Sequence, residues 1–230
     1  MKKFIVITIT LLFSTAMFAQ NDVTKFLGIP VDGTKSEMIQ KLKQKGFTYN
    51  YTKDCLEGEF NGNNVQISIV TNNNKVWRIV VCDAYPTSSE SQIRIRFNNL
   101  CNQFANNDKY IASNILANYE IDEKEDISYE LTVHDKHYQA SYYQIAQSSD
   151  ILDSAKIAQW TIEKISNTYT EEEKNNISAA DLLDLFQDYI DQKLSHKSVW
   201  FTIFESSYRT GYEIVLYYDN RLNKANGEDL

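Results

Sequence analysis

The chain has few of the residues that interrupt secondary structure. Its 230 residues include only two prolines and seven glycines, beside fifteen tyrosines. A sequence poor in proline and rich in tyrosine argues against disorder, because aromatic side chains suit the half-buried surface of a sheet. We therefore expect an ordered, β-rich protein.

Cysteine and histidine are also scarce, with three residues of each. The chain has no cysteine array for zinc, no H-E-x-x-H helix and no G-x-S-x-G turn. Glu57 and Glu59 offer paired carboxylates, but on a predicted exposed strand face nothing removes them from water, as acid/base catalysis requires. The sequence therefore indicates no cofactor and no particular enzyme class.

Long apolar runs are missing after the first residues. Lys2 and Lys3 precede an apolar run over 4–13, and small residues follow up to Ala19. This three-part pattern predicts a signal peptide at 1–19 and an exported protein, periplasmic or secreted. The run is shorter than the roughly 20 residues that a spanning helix needs, and no later stretch reaches that length. We expect no integral membrane segment.

The net charge narrows the possible partners. The formal charge is −8, and removal of the leader with its two lysines makes it −10. Lysine and arginine are scattered rather than clustered, which argues against nucleic acid as a partner.

The segment 20–115 predicts a helix, a three-stranded meander and a second helix. Thr34 and Glu37 have the spacing of a capping box for a helix at 35–45. Tight turns at 61–62 and 72–74 would join the strands. The expected cross-strand pairs are Gly58–Val65, Leu56–Ile67, Ile69–Trp77, Ile67–Ile79 and Val65–Val81. Thr87 would open the second helix.

The segment 116–230 predicts two more hairpins with helices between them. A turn at 135–136 would pair Val133 with Tyr138 and Leu131 with Ala140. Helical spacing covers 151–168 and a stretch opened by Ser178. The closing strands, 199–205 and 212–218, are apolar on both faces, so they should be central or form an interface. The fold class is α+β with antiparallel sheet, helices mainly on one face, and either two lobes or one continuous domain.

Two local patterns resemble ligand sites. Gly28–Ser36 is one residue away from a nucleotide phosphate loop, but Pro30 removes an amide and Asp32 would repel phosphate. We interpret it as a turn that leads into the first helix. His134 and His137 would face each other across the predicted hairpin, but a metal site needs further ligands that the hairpin does not supply.

Aromatic residues in the closing strands are the strongest candidates for binding. Trp200, Tyr212, Tyr217 and Tyr218 would stack on a sugar or anchor a protein if they lie on an exposed sheet face. The alternative is that tyrosine simply fills half-buried sheet positions.

Three stretches carry a resemblance that covers both ends of the mature chain: G-I-P-V-D-G-T-K-S-E-M-I-x-K-L-K-x-K-G-F, the leader end F-A-Q, and Y-Y-D-N-R-L-N-K-A-N-G-E-D-L. They resemble the corresponding stretches of uncharacterised secreted proteins of Bacteroidetes. The helix-plus-meander order is also similar to β-lactamase-inhibitor-protein-like and outer-membrane-assembly lipoprotein modules, which bind proteins. The resemblance in sequence implies export. The resemblance in the order of helix and strands implies protein binding.

Together these patterns predict an exported, non-catalytic binding protein. Its partner would be a protein or glycan of the cell envelope, and an oligomer could form through the C-terminal hairpin. An envelope hydrolase and a small-ligand carrier are the alternatives.

Overall fold

A computed structural model describes residues 22–145, 151–206 and 211–225. The predicted leader, 1–19, lies outside these residues. The described chain is α+β, with an eight-stranded antiparallel sheet, a two-stranded hairpin and six α-helices. None of these helices is long and apolar enough to cross a membrane.

The strands and helices are numbered in chain order. The strands are β1 (Lys25–Phe26), β2 (Ile29–Pro30), β3 (Thr48–Asn50), β4 (Cys55–Phe60), β5 (Asn63–Asn72), β6 (Lys75–Asp83), β7 (Tyr110–Ala112), β8 (Gln139–Gln144), β9 (Lys197–Ser206) and β10 (Gly211–Asn220). The helices are α1 (Lys35–Gln44), α2 (Glu90–Ala105), α3 (Ile127–Val133), α4 (Ser154–Thr168), α5 (Glu171–Lys174) and α6 (Ala179–Leu194). The large sheet has the order β3-β4-β5-β6-β10-β9-β8-β7.

Helix α1 begins as its sequence predicts. The Thr34 side chain accepts a hydrogen bond from the Glu37 amide, and the Glu37 carboxylate accepts one from the Thr34 amide. The preceding stretch, 28–33, includes the β1–β2 turn, and Asp32 accepts hydrogen bonds from the Gly33 amide and Asn223. These contacts fit the interpretation of this stretch as an entry turn.

Replacing Thr34 with alanine should lower the free energy of unfolding by about 0.5–2 kcal/mol, because an amide of the first turn loses its acceptor. Urea denaturation followed by circular dichroism measures the change. Thr34→Ser is the control, since serine retains the capping oxygen, and it should stay close to wild type. Equal losses in both variants would show that the cap does not cause the effect.

The meander forms, with one prediction of register confirmed and one wrong. Gly58 pairs with Val65 and Leu56 with Ile67, as expected. At the second turn, Asn73 and Asn74 both have positive φ and make a two-residue connection instead of the predicted three-residue turn. This turn and a one-residue shift beyond it together pair Ile69 with Ile79 rather than with Trp77. The pairing shifts between Val70 and Thr71, which leaves Trp77 as the extra residue of a β-bulge.

The hairpin predicted around 135–136 is wrong, because 127–133 forms α3. The Asp126 side chain caps this helix, because it accepts a hydrogen bond from the Tyr129 amide. Ile127 and Leu131 contact the core and are four residues apart, a spacing that suits one helix face as well as a strand. Strand β8 pairs instead with β7 and β9.

One face of the large sheet, which we name the inner face, carries the main core. Helix α2 packs there through Ile93, Phe97, Leu100, Cys101 and Phe104, as its spacing predicts. Its N-cap is Ser89 rather than the predicted Thr87, because Thr87 bridges to Tyr212. Aromatic contacts join α2 to the strands, with the Phe97 and Phe201 ring centroids 5.1 Å apart.

The opposite face, which we name the outer face, is covered at one end. Helices α4 and α6, both predicted, form a second core with side chains from the β7–β8 end of the sheet. The Tyr143 hydroxyl of β8 donates a hydrogen bond to Asp191 of α6 at 2.8 Å. The prediction that helices pack mainly on one face therefore fits α1, α2 and α3, while α4 and α6 lie on the other.

Strands β9 and β10 lie in the middle of the sheet, as their apolar residues on both faces predict. β10 pairs with β6 on one side and with β9 on the other. Strands from 20–115 and from 116–230 thus share one sheet, in which the β6–β10 and β7–β8 pairs join them.

Candidate functional site

The centre of the outer face carries an aromatic group that we name the open patch. It consists of Trp77 and Arg78 of β6, Trp200 and Phe204 of β9, and Tyr217 of β10. None of these residues belongs to the second core under α4 and α6, within the part of the chain that the structure describes.

Strand register places the patch on one surface. Val80 pairs with Tyr217, Tyr217 with Trp200, and Trp200 with Ser141, which makes a continuous row across four strands. Because side chains alternate along a strand, Phe204 lies on the same face as Trp200. Phe204 is 53% exposed. The patch is therefore elongated along β9.

The bulge at Trp77 turns two successive side chains to the outer face. On either side of them, Val76 and Ile79 are both fully buried, whereas Trp77 and Arg78 are half-buried. An extra residue in one strand accounts for this pattern, because it interrupts the alternation of side chains. Trp77 and Arg78 thus lie side by side, with the guanidinium carbon 4.3 Å from the indole centroid.

The rings of Trp200 and Tyr217 are stacked. Their centroids are 3.9 Å apart and their planes differ by 11°. The Arg78 guanidinium carbon lies 4.9 Å from the Tyr217 centroid and 5.5 Å from the Trp200 centroid. Such cation–π contacts contribute about 0.5–2 kcal/mol each, depending on exposure. The three side chains thereby hold each other in place.

A buried carboxylate fixes this arrangement. Asp219 is 2% exposed and accepts two hydrogen bonds from Arg78, at 2.6 and 2.7 Å. The same carboxylate accepts a hydrogen bond from the Trp200 indole at 3.2 Å. Because the arginine and the carboxylate neutralise each other, the patch carries no net charge on a chain with a formal charge of −8.

Burial raises the pKa of the Tyr217 hydroxyl above its usual value of 10.0, although the positive charge of Arg78 opposes the shift. Tyr217 therefore stays neutral at physiological pH. The patch offers aromatic edges, a tyrosine hydroxyl and guanidinium nitrogens, which suit binding of another surface.

The four aromatic residues proposed from the sequence do not share one face. Trp200 and Tyr217 lie together in the open patch. Tyr212 and Tyr218 point to the inner face, where they are 8% and 4% exposed and belong to the main core. The alternation of side chains along β10 separates them, since Tyr217 and Tyr218 are consecutive. Of the four, only Trp200 and Tyr217 belong to the open patch.

Sequence reasoning missed Trp77 and Arg78 as site residues. The expected register put Trp77 opposite Ile69, on the covered face. The sequence gives no signal for the bulge, because Trp77, Ile79 and Val81 alternate as apolar residues do along a regular strand.

His134 and His137 do not lie in an arrangement that could hold a metal ion. His134 is the C-cap residue of α3, and its Nδ1 is 3.0 Å from a Glu130 carboxylate oxygen. His137 Nε2 is 3.9 Å from Asp135. They do not face each other across a ladder, because the hairpin does not form. No group of three or more His, Cys, Asp or Glu side chains suited to a metal occurs among the described residues.

Comparison with known proteins assigns this chain to no family. The chain matches no family model, no curated protein and no solved structure, so the choice of a functional site rests on the geometry of the outer face.

Proposed function

We propose that this chain is an exported, non-catalytic binding protein that uses the open patch to hold a protein of the cell envelope. The observation that carries the proposal is the Trp200–Tyr217 stack beside Arg78, on a part of the sheet that the second core does not include. Export is proposed from the leader pattern at 1–19.

Composition and rigidity support binding. Trp, Tyr and Arg are the residues most enriched among those that dominate binding energy at interfaces. Here the Asp219 carboxylate and mutual stacking hold them before a partner arrives, which reduces the entropy lost on association.

The packing of the rings favours a protein over a glycan. A sugar stacks on the free face of an aromatic ring, whereas Trp200 and Tyr217 use one face each against the other. One face of each ring is therefore closed to a sugar, and the Arg78 guanidinium lies beside them. Aromatic rings beside an arginine suit the mixed apolar and polar surface of a protein partner.

The proposal predicts that Phe204→Ser weakens capture of the partner about tenfold, which corresponds to about 1.4 kcal/mol. Phe204 is 53% exposed, so its loss should leave folding intact. The measurement is a quantitative pull-down from envelope extract, followed by titration of the protein recovered with wild type.

Tyr51→Ser is the matched control, because Tyr51 is an 84% exposed aromatic residue in the connection between β3 and β4, away from the patch. It should bind the recovered partner as wild type does. A glycan array run in parallel separates the two partner classes. Retention of a glycan instead of a protein, or equal binding by Phe204→Ser and wild type, would contradict the proposal.

A further inference from the structure

A groove lies where β4, β7 and β10 meet the β1–β2 hairpin. Its volume is about 920 Å³, within the range of small-molecule sites. Phe60 of β4, Phe104 of α2 and Tyr110 of β7 contribute apolar walls, and the β1–β2 hairpin closes one side. We name it the end groove. It does not include any residue of the open patch.

Positive charge dominates the lining of the end groove. Lys25, Lys109 and Lys197 line it, and Asp22 is the single acidic residue among the lining side chains. The excess of two positive charges contrasts with the formal charge of −8 on the chain. A cavity of this kind attracts anions, because its low-dielectric walls concentrate the field of the lysines.

One of these lysines is buried. Lys197 is 1% exposed, and its ammonium group donates a hydrogen bond to Asp22 at 2.6 Å. The Asp22 side chain is 58% exposed, so the carboxylate reaches the ammonium from the solvent side. Lys197 is thus already neutralised by Asp22, so Lys25 and Lys109 supply the excess positive charge of the groove.

Hydrogen bonds fix the shape of the end groove. The Gln144 side chain accepts a hydrogen bond from the Lys25 backbone amide at 2.6 Å and donates one to the Lys25 carbonyl at 3.0 Å. The same amide group donates to the Tyr110 hydroxyl at 3.1 Å. These contacts attach the β1–β2 hairpin to β8, so both sides of the groove are held in place.

The floor of the groove adds no negative charge. Burial raises the pKa of the Tyr110 hydroxyl and raises that of Tyr218 well above 10.0, so both stay neutral. The groove thus combines apolar walls, neutral hydroxyl groups and cationic side chains.

From this combination we infer that the end groove binds a small organic anion with an apolar body, such as an amphipathic carboxylate. The apolar part would lie against Phe60 and Phe104. The carboxylate would lie near Lys25 and Lys109, where it meets opposite charge.

The test is isothermal titration calorimetry of dodecanoate into protein purified after expression of the whole sequence. Lys25→Gln combined with Lys109→Gln should raise the Kd at least tenfold. Both lysine side chains are exposed, so the variant should keep the thermal unfolding midpoint of wild type.

The matched control is Lys41→Gln combined with Lys43→Gln. This pair makes the same change in net charge on the exposed face of α1. It should leave the Kd unchanged, and dodecyltrimethylammonium, a cation with the same chain, should not bind to wild type. Phe204→Ser should bind dodecanoate as wild type does, which separates this site from the open patch.

Three results would overturn the inference. They are the absence of dodecanoate binding at millimolar concentration, equal losses in the two lysine pairs, and binding of the cation as tightly as the anion. The first excludes the site, the second indicates attraction to net charge alone, and the third indicates binding through the alkyl chain alone.

Discussion

Replacing Asp219 with alanine should lower the free energy of unfolding by about 3–5 kcal/mol. The carboxylate is 2% exposed and accepts hydrogen bonds from Arg78 and from the Trp200 indole. Its loss leaves a partly buried guanidinium without a counter-charge, and water cannot fully replace the three lost hydrogen bonds. Urea denaturation followed by far-ultraviolet circular dichroism measures the change without depending on tryptophan fluorescence.

Two variants test this explanation. Glu59→Ala removes an exposed carboxylate from a neighbouring part of the sheet and should change stability by less than about 0.5 kcal/mol. Combining Arg78→Met with Asp219→Leu should recover much of the loss, because no unpaired charge remains. If the combined variant is as unstable as Asp219→Ala, lost packing rather than an uncompensated charge explains the effect.

Replacing Phe201 with alanine should cost about 3–5 kcal/mol for a different reason. Phe201 is fully buried on the inner face and contacts the rings of Phe97, Phe104 and Tyr142. Truncation removes the side chain through which β9 contacts α2, and the cavity left between them cannot close completely. Thermal and urea unfolding both measure the loss.

Phe204→Ala is the matched control, since it removes the same ring from the same strand on the opposite face. With Phe204 53% exposed, the expected change is within about 0.5 kcal/mol. Similar losses at the two positions would contradict the assignment of an inner and an outer face, on which the open patch depends.

The features that sequence predicted well are those decided by neighbouring residues. The capping boxes at Thr34 and Ser178 place helix starts through bonds that span three residues. The turn at 61–62 sets the β4–β5 register directly. The apolar composition of β9 and β10 also predicted their central position, because such strands need cover on both faces.

The features that sequence missed depend on distant partners. Ile127 and Leu131 fit a strand or a helix equally well, and only the pairing of β8 with β7 and β9 decides between them. The bulge at Trp77 depends on how β5 and β6 meet after their turn. The division of the four proposed aromatic residues between two faces follows instead from side-chain alternation, which is local, whereas only the bulge brings Trp77 beside Arg78.

The order of strands has a consequence for how the protein is made. β10 is the last described strand in chain order, yet it lies between β6 and β9 in the middle of the sheet. Until β10 has joined the sheet, β6 keeps a free edge that invites pairing with another chain. Chains truncated before β10 should therefore aggregate or be degraded, because the centre of the sheet forms only when its last described strand is added.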